Sequence, residues 1–509
     1  MNSRAAQVVE TAEKLLCWAA IAYGVWLRVY RFWAPSLGLD ELVTAWVIAG
    51  QDWAEMWQRC QYNLHPPLYF VAARLCGMVA RSEFWLRLPS VLGGLGALGM
   101  LIVLVRRALG LRAALYAGAL FALNSRAIAE TQNARTYGLA LLWAAVSIWL
   151  FLAVLEEDRW PRVAGYCAAA LAAGYTHLVY LSVLAGQVAV VAGMLLLGQD
   201  RPRSLRRLLA AQAVALALLL PMARLYMSAG GDATALASWI PRPSLKWFRE
   251  FFTWPEIFYA GVVIPGLILA LGRLAPLRPA HTGERGLLWL GVVYALIFPA
   301  AIASAHLGLL NILHGRYLLL AVVGLLMLVG YVVSKTGEKA LRLLLCAYLG
   351  FAALFQVIVA RTYGPWIGIF PGQDWRAAIR SIEEQYQPGD IVLLRGGLVE
   401  TQYLHPSQPW VNPYLASPIC GFYDSGRLRV VNLPWRAEDL ESSPFTAPAR
   451  AQVRAAAQVF VLMNIQVAPW DWELLQRWMQ GESPPRQVER RSFGALRLRV
   501  YRRQAAAGG

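Results

Sequence analysis

Two carboxylates stand side by side at Asp40-Glu41, preceded by Gly38-Leu39 and followed by Trp46, Trp53 and Trp57. Adjacent acids can act as a general base and its partner, or as hard ligands for a metal ion. They can equally do no more than start a helix, where Asp is a favoured residue. Next comes His65-Pro66-Pro67-Leu68-Tyr69, in which two prolines open a helix and leave His65 at its N-terminal end. Arginines then recur at the heads of apolar segments: Arg87 in Arg87-Leu88-Pro89-Ser90, Arg135 in Ala134-Arg135-Thr136-Tyr137, and Arg316 in His314-Gly315-Arg316-Tyr317, with Arg28 placed similarly. One such arginine alone is explained by snorkelling to headgroups. Several together call for an anionic partner, and the planar guanidinium fork suits a phosphate.

Histidine follows the same bias. His65, His177, His306 and His314 fall in or near the loops that carry these groups, and His405 lies in the C-terminal tail; only His281 falls among the basic loops. With Asp40 and Glu41 these rings permit a divalent metal without requiring one. Gly94-Leu95-Gly96-Ala97-Leu98-Gly99 matches the dinucleotide fingerprint in letters but has no preceding strand, so close helix packing explains it better. P-loop, Cys-x-x-Cys and G-x-S-x-G patterns are absent. Six Cys are too few for a disulfide framework. Cys17, Cys167 and Cys346 read as packing residues, and a Cys60–Cys76 bridge has weak support.

The elements that must position these groups are membrane helices. Of 509 residues, 58% are hydrophobic and 15% charged, well below the ~25% charged of soluble domains. That excludes a purely soluble enzyme, a disordered chain and a fibrous repeat. Apolar runs fall at 15–27, 88–105, 113–129, 137–155, 163–177, 179–197, 208–223, 256–272, 287–305, 317–333 and 343–360, eleven candidate spans. The fifteen-residue stretch 66–80 contains Arg74 and reads as an interfacial or re-entrant helix. Eleven spans put the N-terminus in the cytoplasm. They sort Arg106, Arg107, Arg112, Arg159, Arg162, Arg201, Arg203, Arg206, Arg207, Arg273, Arg278, Arg285, Lys335, Lys339 and Arg342 to the inside. Loop 33–87 and the tail then lie outside. The net charge of +17 is mostly this orientation signal, because residues 361–509 carry 17 Arg against 13 Asp and Glu. Nucleic acid is therefore not expected as a partner. Two domains follow: 1–360 in the membrane and 361–509 soluble. The tail alternates helix (374–386, 450–457, 470–479) with strand (391–394, 459–463, 495–502), a small α/β domain.

Taken in chain order, the set resembles the GT-C superfamily of membrane glycosyltransferases, nearest to its protein O-mannosyltransferase-like and aminoarabinose-transferase-like families. The resemblance rests on Asp40-Glu41, His65-Pro66-Pro67-Leu68, Arg87-Leu88-Pro89-Ser90, Ala134-Arg135-Thr136-Tyr137, Tyr175-Thr176-His177, His314-Gly315-Arg316-Tyr317-Leu318, Asp374-Trp375-Arg376 and Pro388-Gly389-Asp390. It implies a mostly α, polytopic fold with a small external α/β domain, in the cytoplasmic (inner) membrane of the cell envelope. The tail would be periplasmic or extracellular. It also implies transfer of a hexose or pentose, with inversion, from a polyprenyl-phosphate donor to an acceptor hydroxyl on the external face. Asp40 would be the base and Glu41 its assistant, with Arg87, Arg135 and Arg316 on the donor phosphate. His65, Tyr137, His177, His314 and Tyr317 would line the substrate or hold a metal. Aminoarabinose-transferase-like members have Glu-Lys-Pro-Pro where this chain has Leu64-His65-Pro66-Pro67, so the Glu on which a carried-over metal site would rest is missing. The rival reading is a transporter or flippase of a lipid-linked substrate, which would favour charges within the spans and symmetry between halves. Neither is evident here.

Overall fold

The structure is a computed structural model describing residues 3–63, 65–198, 202–229, 240, 279, 281–309, 311, 314–335, 346, 349–358, 373–424, 426–465, 470–480 and 487–503. Its contacts divide the chain into two units, Met1–Phe32 with Cys60–Gly368 and Trp33–Arg59 with Ile369–Gly509. The expected loop 33–87 is thus shared between them.

The first unit is a helical bundle. Its helices are α1 (Ser3–Val29), the end of α3 (Trp53–Tyr62), α4 (Leu68–Gly77), α5 (Glu83–Leu109), α6 (Leu111–Ala122), α7 (Ser125–Gln132), α8 (Tyr137–Glu156), α9 (Trp160–Thr176), α10 (Leu181–Leu196), α11 (Pro202–Ala229), α12 (Thr282–Ala295), α13 (Ile297–His306), α14 (Leu319–Lys335) and α15 (Leu349–Ile358); α2 (Leu39–Ile48) belongs to the other unit. Among the described residues, five helical stretches are long and apolar enough to cross a bilayer: Glu83–Leu109, Tyr137–Glu156, Leu178–Leu196, Arg203–Arg224 and Thr282–His306. The chain is a multi-pass membrane protein with fewer such stretches in view than the eleven expected. The expected span 256–272 lies outside the described residues, as does part of 343–360.

The expected span 113–129 is broken. Helix α6 stops at Ala122, and Asn124 starts α7 by accepting a hydrogen bond from Ala127 N–H at 2.8 Å. Asn side chains compete well for such amides. Arg28 is fully buried at this break and donates to the carbonyls of Gly24, Ala122 and Phe121, so it serves the open end of α6. Small residues set the α5–α8 contact. A Cβ on Gly93 would lie 2.5 Å from Leu139 N, and one on Gly138 the same distance from Ser90 O. At the far end of α5 the basic loops are laced by ion pairs between helices: Arg107–Glu156, Arg112–Glu13, Arg207–Asp158 and Lys335–Glu284. All six cysteines are free, so Cys60 and Cys76 are not bridged.

The second unit contains a five-stranded sheet: β1 (Ile391–Arg395), β2 (Val430–Asn432), β3 (Gln458–Asn464), β4 (Gln487–Phe493) and β5 (Leu496–Arg502), in order β2-β1-β3-β5-β4. Strands β2, β1 and β3 run parallel, while β3–β5 and β4–β5 are antiparallel. Helices α16 (Trp375–Glu383), α17 (Arg450–Ala455) and α18 (Trp472–Gln480) accompany it. Gly389 turns into β1 at φ +101°, a conformation glycine adopts without a Cβ penalty. The Asp390 carboxylate then accepts from Gln387 N–H and Gln458 N–H, joining the starts of β1 and β3. The expected α/β tail is present, with β2 and β4 added to the strands anticipated.

Candidate active site

In the helical unit, seven of the expected residues meet at the end of the bundle opposite the ion-paired loops. They come from the segment before α4, the head of α8, the end of α9 and the turn before α14. Arg135, 6% exposed, donates through Nη2 to Nε2 of His65 at 3.0 Å. That nitrogen must therefore accept, which leaves the proton on His65 Nδ1, 2.6 Å from the Asn63 carbonyl. The His177 ring lies 5.5 Å from that of His65, 5.0 Å from Tyr137 and 5.9 Å from Tyr317. Arg316 sits over the rings of Tyr137 and Tyr317, at 5.6 and 5.5 Å from their centroids. His314 is 5.9 Å from Tyr317 and closes the same turn.

Local chemistry explains why these side chains hold their places. Arg135 stands between a turn, Arg135 N–H to Asn133 O at 2.7 Å, and the start of α8. Its carbonyl accepts from Ser90 Oγ, which pairs with Tyr69 O–H. Ser90 and Tyr69 thus aim Arg135 from two neighbouring helices. His177 accepts at Nδ1 from Val179 N–H and starts the 3-10 turn Leu178–Tyr180. The proton is then on Nε2, which is buried without a hydrogen-bond partner among the described residues. A donor left in this state costs about 1–3 kcal/mol and suits a ligand acceptor. Arg87 is fully buried early in α5 and donates through Nη1 to Phe32 O.

Two further groups at this end were not singled out in the sequence. Tyr180 has a buried hydroxyl with no hydrogen-bond partner among the described residues. Glu130, 4% exposed, pairs with Arg126 at 3.4 Å and exerts its charge on Tyr137 and Tyr180. Its signal was available: an acid inside an apolar stretch is costly and is a functional candidate by default.

Asp40 and Glu41 lie in the second unit, in the first turn of α2. The Glu41 carboxylate, 2% exposed, accepts from Gly38 N–H at 2.8 Å, the N3-to-N-cap half of a capping box, the other half being impossible for a glycine. The preceding strap is tied to the C-terminal residues: Leu37 N–H donates to Tyr423 Oη at 2.8 Å, Leu39 N–H to Gln373 Oε1, and Arg376 to the carbonyls of Ala34 and Pro35. Asp374 caps α16, and Trp375 fills the core beneath it. Among the described residues no three His, Cys, Asp or Glu side chains gather as a metal-binding set.

Residues 64–226, about a third of the chain, match the family described as dolichyl-phosphate-mannose-protein mannosyltransferase. ArnT from Cupriavidus metallidurans, in a crystal structure bound to undecaprenyl phosphate, superposes with a TM-score of 0.58 at 13% identity, covering 99% of this chain and 100% of that one. The archaeal oligosaccharyltransferase AglB from Archaeoglobus fulgidus, in complex with an inhibitory peptide and a dolichol-phosphate, gives 0.48 at 11% identity, over 96% of this chain and 74% of that one. No curated protein matches in sequence. The end-to-end similarity to ArnT shows that this chain has the GT-C fold, in agreement with the resemblance read from its motifs.

Proposed function

We propose that the protein is an inverting glycosyltransferase that moves a sugar from a polyprenyl-phosphate donor to an acceptor hydroxyl on the external face of the cytoplasmic membrane. The observation that carries this reading is the convergence of His65, Arg135, Tyr137, His177, His314, Arg316 and Tyr317 at one end of a membrane bundle. The family match at 64–226 contains four of them. The similarly folded ArnT, crystallised with undecaprenyl phosphate, supports the donor class. The face is supported by α5 itself, which carries Arg87 near its start and Arg106 and Arg107 at its end. The basic loops therefore mark the opposite side of the bilayer.

In this reaction the leaving group is a lipid phosphate, and the charge it gains is met by Arg135 and Arg316, with Arg87 assigned alongside them. Fixed cations in a water-poor site stabilise such charge without reorganising. Tyr137 and Tyr317 hold Arg316 by its face, while His65 holds Arg135. Asp40 takes the proton from the acceptor hydroxyl, and Glu41, committed to the cap of α2, orients it. The sugar and the acceptor are not assigned.

The test is release of free polyprenyl phosphate from a labelled donor. Asp40→Asn should fold normally and lose about 10²–10⁴-fold in rate, the usual worth of general-base catalysis. Near-full activity would refute the role given to Asp40, and movement of the labelled lipid unaltered across the bilayer would make the protein a transporter.

A further inference from the structure

The β4–β5 hairpin has an electrostatic pattern that the fold does not need. Alternate strand residues share a face. One face of this hairpin begins with the pair Val488–Tyr501, which joins Val459, Val461 and Met463 of β3 and Leu475, Trp478 and Met479 of α18 in the apolar core. The next pairs along the same face are Arg490–Arg499 and Ser492–Arg497. Like charges directly opposite one another destabilise an antiparallel pair.

Edge protection explains only part of this. Charges on an edge strand deter pairing with other chains, and β4 is the edge. Arg497 and Arg499, however, lie on β5, which is paired on both sides. Among the described residues, Arg490, Arg497 and Arg499 have no ion-pair partner. The nearby carboxylate of Glu489 is on the opposite face and is committed to Arg491 and Arg502. Hydrogen bonding from Arg491 first, then the charge beside it and Arg502, holds that carboxyl below the usual range. Arg499 is stacked over the Trp472 ring at 3.7 Å from its centroid, which fixes its plane. A cavity of about 340 Å³ opens among Arg490, Arg497, Arg499, Ser492 and Trp472.

We propose that this hairpin is a phosphate-binding site, in which Arg490, Arg497 and Arg499 donate to one phosphate group and its charge offsets their mutual repulsion. A phosphate monoester carries about −1.5 to −2 at neutral pH, a closer match to three guanidinium groups than a single carboxylate. Its several oxygens also accept from forks arriving in different planes. The ligand is a phosphorylated small molecule or a phosphate-bearing lipid headgroup. The site belongs to the sheet unit and is independent of the sugar-transfer reading.

The experiment is calorimetric titration of inorganic pyrophosphate into the full chain in phosphatidylcholine nanodiscs. Wild type should bind with an affinity that falls as salt rises. Arg490→Gln combined with Arg499→Gln should weaken this site by at least about tenfold, and Arg497→Gln alone should weaken it in the same direction. The exposed Arg436→Gln, equal in charge change, should leave it intact. Competition by phosphatidic acid added to the nanodisc identifies a lipid headgroup as the source; undiminished binding identifies a soluble phosphate. The proposal is overturned if wild type gives no binding, or if the double variant and wild type give the same isotherm.

Discussion

Arg135 shows how much one side chain can be made to do. Its Nη2 is spent on His65 and its carbonyl on Ser90, and the side chain is 6% exposed. Lysine keeps the charge but lacks a planar fork that can hold His65 and meet a phosphate together. We expect Arg135→Lys to lower donor cleavage by about 10²-fold or more, the size seen when one oriented donor to a developing anion is removed. Single-turnover release of polyprenyl phosphate measures it; a rate within a fewfold of wild type would remove Arg135 from the reaction. Most of the grouped residues were visible in the sequence, because arginine and histidine at the head of an apolar run are anomalies of solvation. Tyr180 was not, since nothing in the spacing says that the turn after α9 faces the same ring cluster.

At the scale of elements, close backbone approach decides the bundle. Helices α5 and α8 touch where Gly138 faces the Ser90 carbonyl, and the Ser90 hydroxyl holds the Arg135 carbonyl three residues before Gly138. Gly138→Ala should destabilise the protein by about 1–3 kcal/mol, as overpacking does, with a matching drop in thermal midpoint in detergent. Gly99, also in α5, has open space where its Cβ would go. Gly99→Ala should therefore be neutral or stabilising by up to about 1 kcal/mol, the difference in helix propensity. Equal effects at the two positions would mean that the close approach at Gly138 carries no packing cost. Of the G-x-G-x-x-G letters, Gly94 packs α5 against Thr131 of α7 and Gly96 lies against Leu142 of α8, while Gly99 faces open space. Hydropathy found the apolar stretches but not the break at Asn124, since Ala127, Ile128 and Ala129 carry the apolar run past it and only the cap reveals the stop.

At the scale of the whole molecule, the chain returns to itself across a long sequence distance. The strap 33–59, which carries Asp40, is built into the unit of the C-terminal sheet through Tyr423, Gln373 and Arg376. It should behave as part of that unit in exchange experiments, where contiguous cooperative units open together. Arg376→Ala removes two donors to the strap and should raise amide exchange over 33–41 by about tenfold, roughly one hydrogen bond's net worth. Exchange in α5 and α8 should not change. A uniform rise across both units would show instead that the substitution loosens the protein globally.

The division between sequence and structure follows from the range of the forces involved. Composition, periodicity and charge are local sums, so the sequence alone determined a polytopic membrane protein with an α/β tail and marked Arg28, Arg87, Arg135 and Arg316 as groups needing partners. Strand β2 is three residues long and β4 reads Gln-Val-Glu-Arg-Arg-Ser-Phe, too short or too polar to signal a strand. Both exist because a neighbouring strand offers its hydrogen bonds. Likewise only tertiary packing decided that Arg28 closes α6, that the Asp40 strap belongs with the sheet, and that three arginines share one hairpin face. Each of these depends on which distant backbone comes within hydrogen-bond reach, and that distance is not written in any local stretch of residues.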